Sequence, residues 1–522
     1  MDDQLKMNEM DYLHVPDTDK SKSTSPADSV ASSATDISTT PITGRTVKRD
    51  NFGLTRQLAF AIAAAALGSS FQHGYNTGVV NAPQDLVMDF IKNSYWERFD
   101  EEPGKQTVTI IYSIMVSIFC IGGMVGALST AYVAEKLGRK VALLANNVFV
   151  FIAAGLMGFS KMARSYEMLI MGRFIIGINC GLNAGLAPMY LTEVSPVHLR
   201  GAVGTIYQLV ITISILVSQV LGIPQVLGTE ELWPFLFGMI IVPALFMMAT
   251  MPLCPESPRY ILIYQGKDVA AQKALTWLRG TPEVHDEMEE MKTEYEAMKL
   301  IPKVTLHEMW TNPWLRTPLL ISIVVMLSQQ LSGINAVIFF STKIFENAGL
   351  TKQMALYATL AMGTINVLMT IVSLVLVERA GRRTLQLVGL GGMAVITLLL
   401  TICLVFKNSA TWLSYLSIVL VIGFVVMFAT GPGSIPWFLV GELFGQGARA
   451  IATSIAVAVN WSANFVVGLG FLPLANILQE YTFLIFTLLL IIFFLFTYKK
   501  VPETKNKTIE EITATFRQKT YQ

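Results

Sequence analysis

Seven carboxamides stand inside long apolar stretches of this sequence: Gln208, Gln329, Gln330, Asn335, Asn366, Asn460 and Asn464. A carboxamide donates and accepts hydrogen bonds at once, as does each hydroxyl of a polyol. Being neutral, it can hold such a ligand without the strength that would trap it. A lone amide in an apolar run more often joins neighbouring helices, but seven exceed what that use explains. Asn460 and Asn464 are four residues apart, so on a helix they share a face. Gln208 shares its face with Ile211, Thr212 and Ile215, a polar anchor bordered by apolar contacts. Trp437 and Trp461 lie among the amides, and an aromatic ring packs against the C–H face of a sugar ring. An interfacial aromatic belt is the other use of a Trp there.

Groups for other chemistry are missing from the pattern. No nucleophile stands at a workable spacing from a base, and no residues have metal-ligand spacing. An enzyme, a bound cofactor and a metal site are therefore not expected. Cys120, Cys180, Cys254 and Cys403 sit in or beside apolar runs, which argues against a disulfide framework. No carboxylate lies in the middle of an apolar run, and Gly74-Tyr75-Asn76-Thr77-Gly78 carries Asn at its centre. A proton-coupled carrier needs a group that titrates within the membrane. His73 is the candidate in that stretch, and a lone membrane His is more often packed or hydrogen-bonded. Passive movement of a neutral cargo is favoured over proton symport.

The elements that must position these groups are helices across a bilayer. The chain has 522 residues, 53% hydrophobic and 14% charged, where soluble domains carry about a quarter charged. Its net charge of +1 offers nothing to nucleic acid. Apolar windows near the ~20 residues that a span needs fall at 57–80, 108–133, 140–160, 165–190, 201–222 and 232–252. Six more fall at 316–344, 353–378, 384–406, 412–440, 448–470 and 480–498. Lys136, Arg139, Lys140, Arg200, Arg379, Arg382, Arg383, Lys499 and Lys500 lie on one side of this pattern, Asp100-Glu101-Glu102 on the other. The positive-inside rule then places both termini of a multi-pass membrane protein in the cytoplasm. The expected domains are a disordered tail at 1–55, a six-helix half at 56–253, a cytoplasmic helical linker at 254–315, a second half at 316–498 and a cytoplasmic tail at 499–522. The first tail is rich in Ser, Thr, Asp and Lys and has no apolar core for a signal peptide. It reads as solvated, with phosphorylation as an alternative use.

The two sets of six repeat one another. Leu137-Gly138-Arg139-Lys140 is echoed by Ala380-Gly381-Arg382-Arg383, with Arg139 and Arg382 243 residues apart. Glu193 and Arg200 are echoed 249 residues later by Glu442 and Arg449, and Pro255-Glu256-Ser257-Pro258-Arg259 by Pro502-Glu503-Thr504-Lys505 at 247. Nearly one offset for three motifs implies a duplicated six-helix unit. The fold expected is all-α: the major facilitator architecture, twelve transmembrane helices in two halves. Arg139, Glu193, Arg200, Glu256, Arg259, Glu378, Arg382, Glu442 and Arg449 fall at the cytoplasmic ends of spans. They read as a clasp between halves, made and broken as the carrier alternates, or as residues that only set topology. Gly431-Pro432-Gly433-Ser434-Ile435-Pro436 breaks span 10, and Ser332-Gly333 loosens span 7.

Taken together, Gln329-Gln330-Leu331-Ser332-Gly333-Ile334-Asn335, the Gly-Pro-Gly-x-Ile-Pro-Trp-Phe run ending at Phe438, Pro-Glu-Ser-Pro-Arg at 255–259 and Asn460-Trp461-Ser462-Ala463-Asn464 resemble the facilitative glucose transporters over about residues 55–505. The resemblance implies hexose uniport, with D-glucose the first expected cargo and the bilayer the other partner. It also implies that Gln208, Gln329, Gln330, Asn335, Asn366, Trp437 and Asn464 contact the sugar, with Trp461 nearby and Thr77 and Asn81 lining the outer path. Proton-coupled symport and a non-transporting hexose sensor are the rivals. Several positions depart from the family pattern. Ala429 stands where an acidic residue is common, His73 replaces Phe, and Phe339 and Phe340 replace two tyrosines of an outer gate. Met326-Leu327-Ser328 lacks the Gln linked to glucose preference, Ser434 replaces a proline, and Asn506 replaces a glycine. No glycosylation sequon lies in 81–107. These departures bear on sugar preference rather than on transport.

Overall fold

A computed structural model describes residues 53–521; residues 1–52 of the expected tail lie outside the described residues. Among the described residues, ten stretches are long and apolar enough to cross a membrane. One of them, Gln446–Lys500, holds two spans separated by a turn at Gln479–Tyr481. A further span at 56–78 is broken into Arg56–Ala65, a π-turn at Ala66–Ser70, and Phe71–Gly78. The described residues therefore make twelve crossings.

Spans 2 to 5 are Lys105–Leu137, Arg139–Gly158, Tyr166–Val194 and Arg200–Leu221, and span 6 is Trp233–Gly238 with Ile241–Thr250. Span 7 is Pro313–Gln330 and Ile334–Asn347, broken at Gly333 with φ +94°, a left-handed conformation that glycine tolerates. Spans 8 and 9 are Lys352–Ala380 and Arg382–Val405. Span 10 is Trp412–Thr430 and Ile435–Leu443, interrupted by the Gly-Pro-Gly run as expected. Spans 11 and 12 are Gln446–Leu478 and Thr482–Lys500. Non-helical backbone at membrane depth is tolerated where protein buries it or it lines a cavity, so the breaks in spans 7 and 10 mark the place to look for a site.

Glycines set the closest contacts. A Cβ on Gly177 of span 4 would come within 2.3 Å of the Phe119 carbonyl of span 2, and one on Gly181 within 2.1 Å of the Gly123 carbonyl. Small residues four apart let membrane helices approach to backbone contact. Gly177→Val is accordingly expected to abolish the monodisperse folded species in detergent chromatography.

The charged stretch between the halves forms short helices: Asp268–Arg279 and His285–Lys299 pack around Ala271, Leu275, Val284 and Met288, and Leu306–Thr311 buries Met309 elsewhere. Arg279 ties them to span 4 through the Val194 carbonyl at 2.7 Å. Two elements were not expected from sequence. Gln84–Phe99 is a helix after span 1, and the terminal tail contains the helix Ile509–Tyr521. The latter buries Ile512 and Phe516 in a cluster with Met309, Leu319 and Leu443.

Candidate functional site

The break in span 10 leaves backbone carbonyls without helical partners, and the break in span 7 supplies the donors. Gln329 Nε2 donates to the carbonyls of Pro432 and Gly433, both at 2.9 Å. Its Oε1 accepts from Asn460 Nδ2 at 2.6 Å and from Gln330 Nε2 at 3.4 Å. Gln330 Nε2 also donates to Asn460 Oδ1 at 3.1 Å, and Gln330 Oε1 accepts from Asn335 Nδ2. Four amides from spans 7 and 11 therefore form one buried cluster. A Gln side chain has two donor hydrogens and two acceptor lone pairs, and Gln329 has used all of them. It holds the two broken helices together rather than presenting a free group to a ligand.

Spare capacity lies at the edge of the cluster. Asn464, one turn from Asn460, is buried with its Oδ1 unpartnered, as is the Ser434 hydroxyl in the span 10 break. Asn335 has given one of its N–H groups to Gln330 and makes no other side-chain hydrogen bond among the described residues. An uncharged buried acceptor without a donor is costly, by about 1–3 kcal/mol, and a ligand hydroxyl relieves it. Gln208 and Trp437 are exposed and Asn366 is half-buried, with no side-chain hydrogen bond among the described residues. They are not joined to the amide cluster. Asn460 was legible among the amides but not among the expected sugar contacts, and it is the centre of the cluster. Met326, at the departure from the Gln-Leu-Ser pattern, places its sulfur 3.6 Å from Asn460 Nδ2.

Trp461 bridges the two halves. Its ring stacks on His73 of span 1 with centroids 5.9 Å apart, meets Phe119 edge-on at 6.2 Å, and covers Gly123 of span 2. His73 Nδ1 lies 3.2 Å from the Tyr207 hydroxyl of span 5. Sequence reasoning missed Arg173. It is fully buried in span 4, donating to the carbonyls of Asn76 at 2.6 Å and Val116 at 3.5 Å, with its guanidinium 4.5 Å over Phe119. No carboxylate pairs with it among the described residues; its titratable neighbours are Cys120, Cys180 and Tyr112. The Asn76 side chain turns instead to the Gln72 carbonyl at 2.8 Å.

The end away from the charged motifs is shut. Asn81 of the first half is buried and donates to the Ile338 carbonyl at 2.9 Å and to Ser341 Oγ at 2.5 Å, while its Oδ1 accepts from the Thr342 N–H at 3.1 Å. Beneath this seam Phe339 and Phe340 are buried, and Phe340 stacks on Phe471 at 5.6 Å. Among the described residues Thr77 bonds only its own helix, at the His73 carbonyl. Across the halves, Lys343 and Lys352 lie 3.9 and 3.5 Å from Asp85. Such partly exposed pairs contribute up to about 1 kcal/mol each. Asp85→Lys is expected to raise the rate at which a water-soluble thiol reagent labels Ile338→Cys by about two- to fivefold, a difference that shrinks in concentrated salt.

The charged motifs do not join the halves. Arg139 pairs with Glu193 at 2.9 Å inside the first half, and Arg382 with Glu442 at 2.9 Å inside the second. Glu256 accepts from the N–H groups of Arg139 and Lys140, and Glu503 from those of Arg382 and Arg383. In this state, shut at the Asn81 end, each copied pair closes one latch within its own half, and the clasp between halves is expected when the charged end is the closed one. Arg200 and Arg449 bond backbone carbonyls of Thr192 and Phe444, Arg259 pairs with Glu294, and Glu378 is exposed. Burial works against ionising Glu503, but the backbone N–H groups of Arg382, Lys505, Arg383 and Thr504 outweigh it and hold its carboxyl below the usual range. The stability it contributes is present above its ordinary pKa and is lost as pH falls through the lowered one.

The family described as Sugar (and other) transporter matches residues 61–516. The chain belongs to that family. It is 49% identical over 465 residues to facilitated glucose transporter member 1 of solute carrier family 2 from Gallus gallus, covering 89% of this chain and 94% of that protein. Member 3 from Bos taurus is 48% identical over 463 residues, with 89% and 93% covered. Among solved structures, the partially occluded inward-open conformation of the xylose transporter XylE from E. coli aligns with a TM-score of 0.73 at 24% identity, over 87% of this chain and 100% of that one. That last likeness establishes the fold of this family member, a major facilitator.

Proposed function

We propose that the protein is a facilitative hexose uniporter of the plasma membrane, with D-glucose its first cargo, working by alternating access. The observation that carries this reading is the uncharged amide cluster at the paired breaks of spans 7 and 10, with unpartnered Asn464 and Ser434 at its edge. Neutral groups that both donate and accept suit a polyol, and the sealed seam at Asn81 makes the site reachable from one end at a time. Two relatives named as facilitated glucose transporters, each sharing nearly half of this sequence, support the same cargo. Positive-inside orientation places the Asn81 end outside and both termini in the cytoplasm. Uniport rather than symport is supported by the neutral Asn76 at the centre of the span 1 motif and by Arg173, whose partners there are backbone carbonyls and not a titrating carboxylate.

Purified protein in liposomes tests this. Stereospecific D-glucose flux that is unchanged when the proton gradient is collapsed is the expected result. Absence of flux defeats the carrier reading, and dependence on the gradient defeats uniport. Competition by fructose, galactose and mannose then ranks the cargoes, which the Met326 contact with Asn460 bears on directly.

A further inference from the structure

Span 5 carries a second amide that the site does not use. Gln219 is buried, and neither its Oε1 nor its Nε2 has a hydrogen-bond partner among the described residues. Gln208, Thr212, Ile215 and Gln219 follow the spacing of one helix face, so Gln219 continues the stripe that begins at Gln208. Eleven residues carry it about 16 Å further toward the shut end.

What faces Gln219 belongs to the other half. A Cβ on Gly363 of span 8 would come within 2.4 Å of Gln219 Oε1, so the carboxamide occupies the niche that the missing side chain leaves. One turn from Gly363 on the same span, Thr359 meets Ser341 and Thr342 at 3.1 and 3.0 Å, and Ser341 accepts from Asn81. The end of span 5 also abuts span 1 beside Asn81, where a Cβ on Gly222 would lie 2.6 Å from Ala82 Cβ. Gln219 and the Asn81–Ser341–Thr342–Thr359 seam are thus both at the contact between halves, and both are uncovered when that contact parts. A fully buried amide with both ends unpaired is tolerable in one state of a carrier if another state satisfies it.

We propose that Gln219, with Asn81 and Thr359, forms an outer sugar-binding subsite that is present only while the carrier is open at the Asn81 end. It rests on the reading of this chain as an alternating-access hexose carrier. The groups are neutral, and each both donates and accepts, so they match a hexose hydroxyl as the central amides do. Sugar meets this subsite before the amide cluster, and specificity begins there.

The test uses the full chain in liposomes of one orientation, with maltose as a glucose-bearing probe added to one face at a time and checked for lack of flux. Gln219→Met keeps the size of the side chain and removes its hydrogen bonds. Maltose at the Asn81 face is expected to inhibit glucose flux three- to tenfold more weakly in this variant, and at the opposite face within twofold of the unaltered protein. A role in setting the conformational balance alone would weaken inhibition at one face and strengthen it at the other, and that result overturns the proposal. So does unchanged inhibition at both faces, or no inhibition of the unaltered protein from the Asn81 face. Thr359→Val carries the same test if Gln219→Met does not fold. Absence of glucose flux in the unaltered protein would instead defeat the carrier reading itself.

Discussion

Asn460→Leu is expected to raise the half-saturation concentration for D-glucose at least tenfold in liposome uptake. Asn460 donates to Gln329 at 2.6 Å and accepts from Gln330 at 3.1 Å. Leucine fills similar space but returns neither bond, leaving the Gln330 N–H groups with only their long contact to Gln329. A net hydrogen bond is worth about 1 kcal/mol, and a buried polar group left unpaired costs about 1–3 kcal/mol. Two weakened bonds then correspond to roughly a tenfold to hundredfold change. The loss falls on sugar binding because Gln330 also orients Asn335, whose remaining groups are free for a ligand. If Asn460 served only to join helices, thermal stability would fall while the folded fraction kept its affinity, so both quantities are to be measured on one preparation.

Removing the latch of the first half should harm the protein more than removing that of the second. Arg139 and Glu193 side chains are 8% and 13% exposed, whereas Arg382 and Glu442 are 19% and 28% exposed. Arg139 engages Glu193 through both Nε and Nη2, bonds the Ala134 carbonyl, and lies 5.1 and 5.3 Å from the rings of Tyr260 and Tyr264. Breaking a buried pair by deleting one partner costs about 3–5 kcal/mol, chiefly because the other charge is left uncompensated. Arg139→Ala is expected near that range and Arg382→Ala at about half of it, read as unfolding midpoints in detergent. Adding Glu193→Ala to Arg139→Ala should restore part of the loss, since it removes the stranded carboxylate. Equal losses in the two halves would show that burial does not decide the effect.

Much of this fold was legible because a membrane span must announce itself as a long apolar window, and span 8 at 353–378 is found within Lys352–Ala380. The π-turn at Ala66–Ser70 was not, since it belongs to tertiary packing, where a Cβ on Gly68 would meet the Met247 side chain at 2.6 Å. Nor was the helix Ile509–Tyr521, whose two buried anchors are too few to mark a periodicity and whose partner surface includes Met309 and Leu319. At the site, the amide types and the helix breaks could be read, but the saturation of Gln329 could not. It depends on two carbonyls freed in another span. Arg173 was visible as a cation inside the 165–190 window, yet its partners are backbone atoms of Asn76 and Val116, which no side-chain pattern names. The duplication was legible, and with it the latch that each half closes on itself in this state, since a motif copied whole can pair within its copy.

The bonds from Gln329 to Pro432 and Gly433 make one side chain the shared fulcrum of two interrupted helices. Neither interruption can flex alone without breaking hydrogen bonds where water is scarce. The rearrangement therefore has a large enthalpic component, so warming should quicken turnover much more steeply than it alters the concentration at which the carrier saturates.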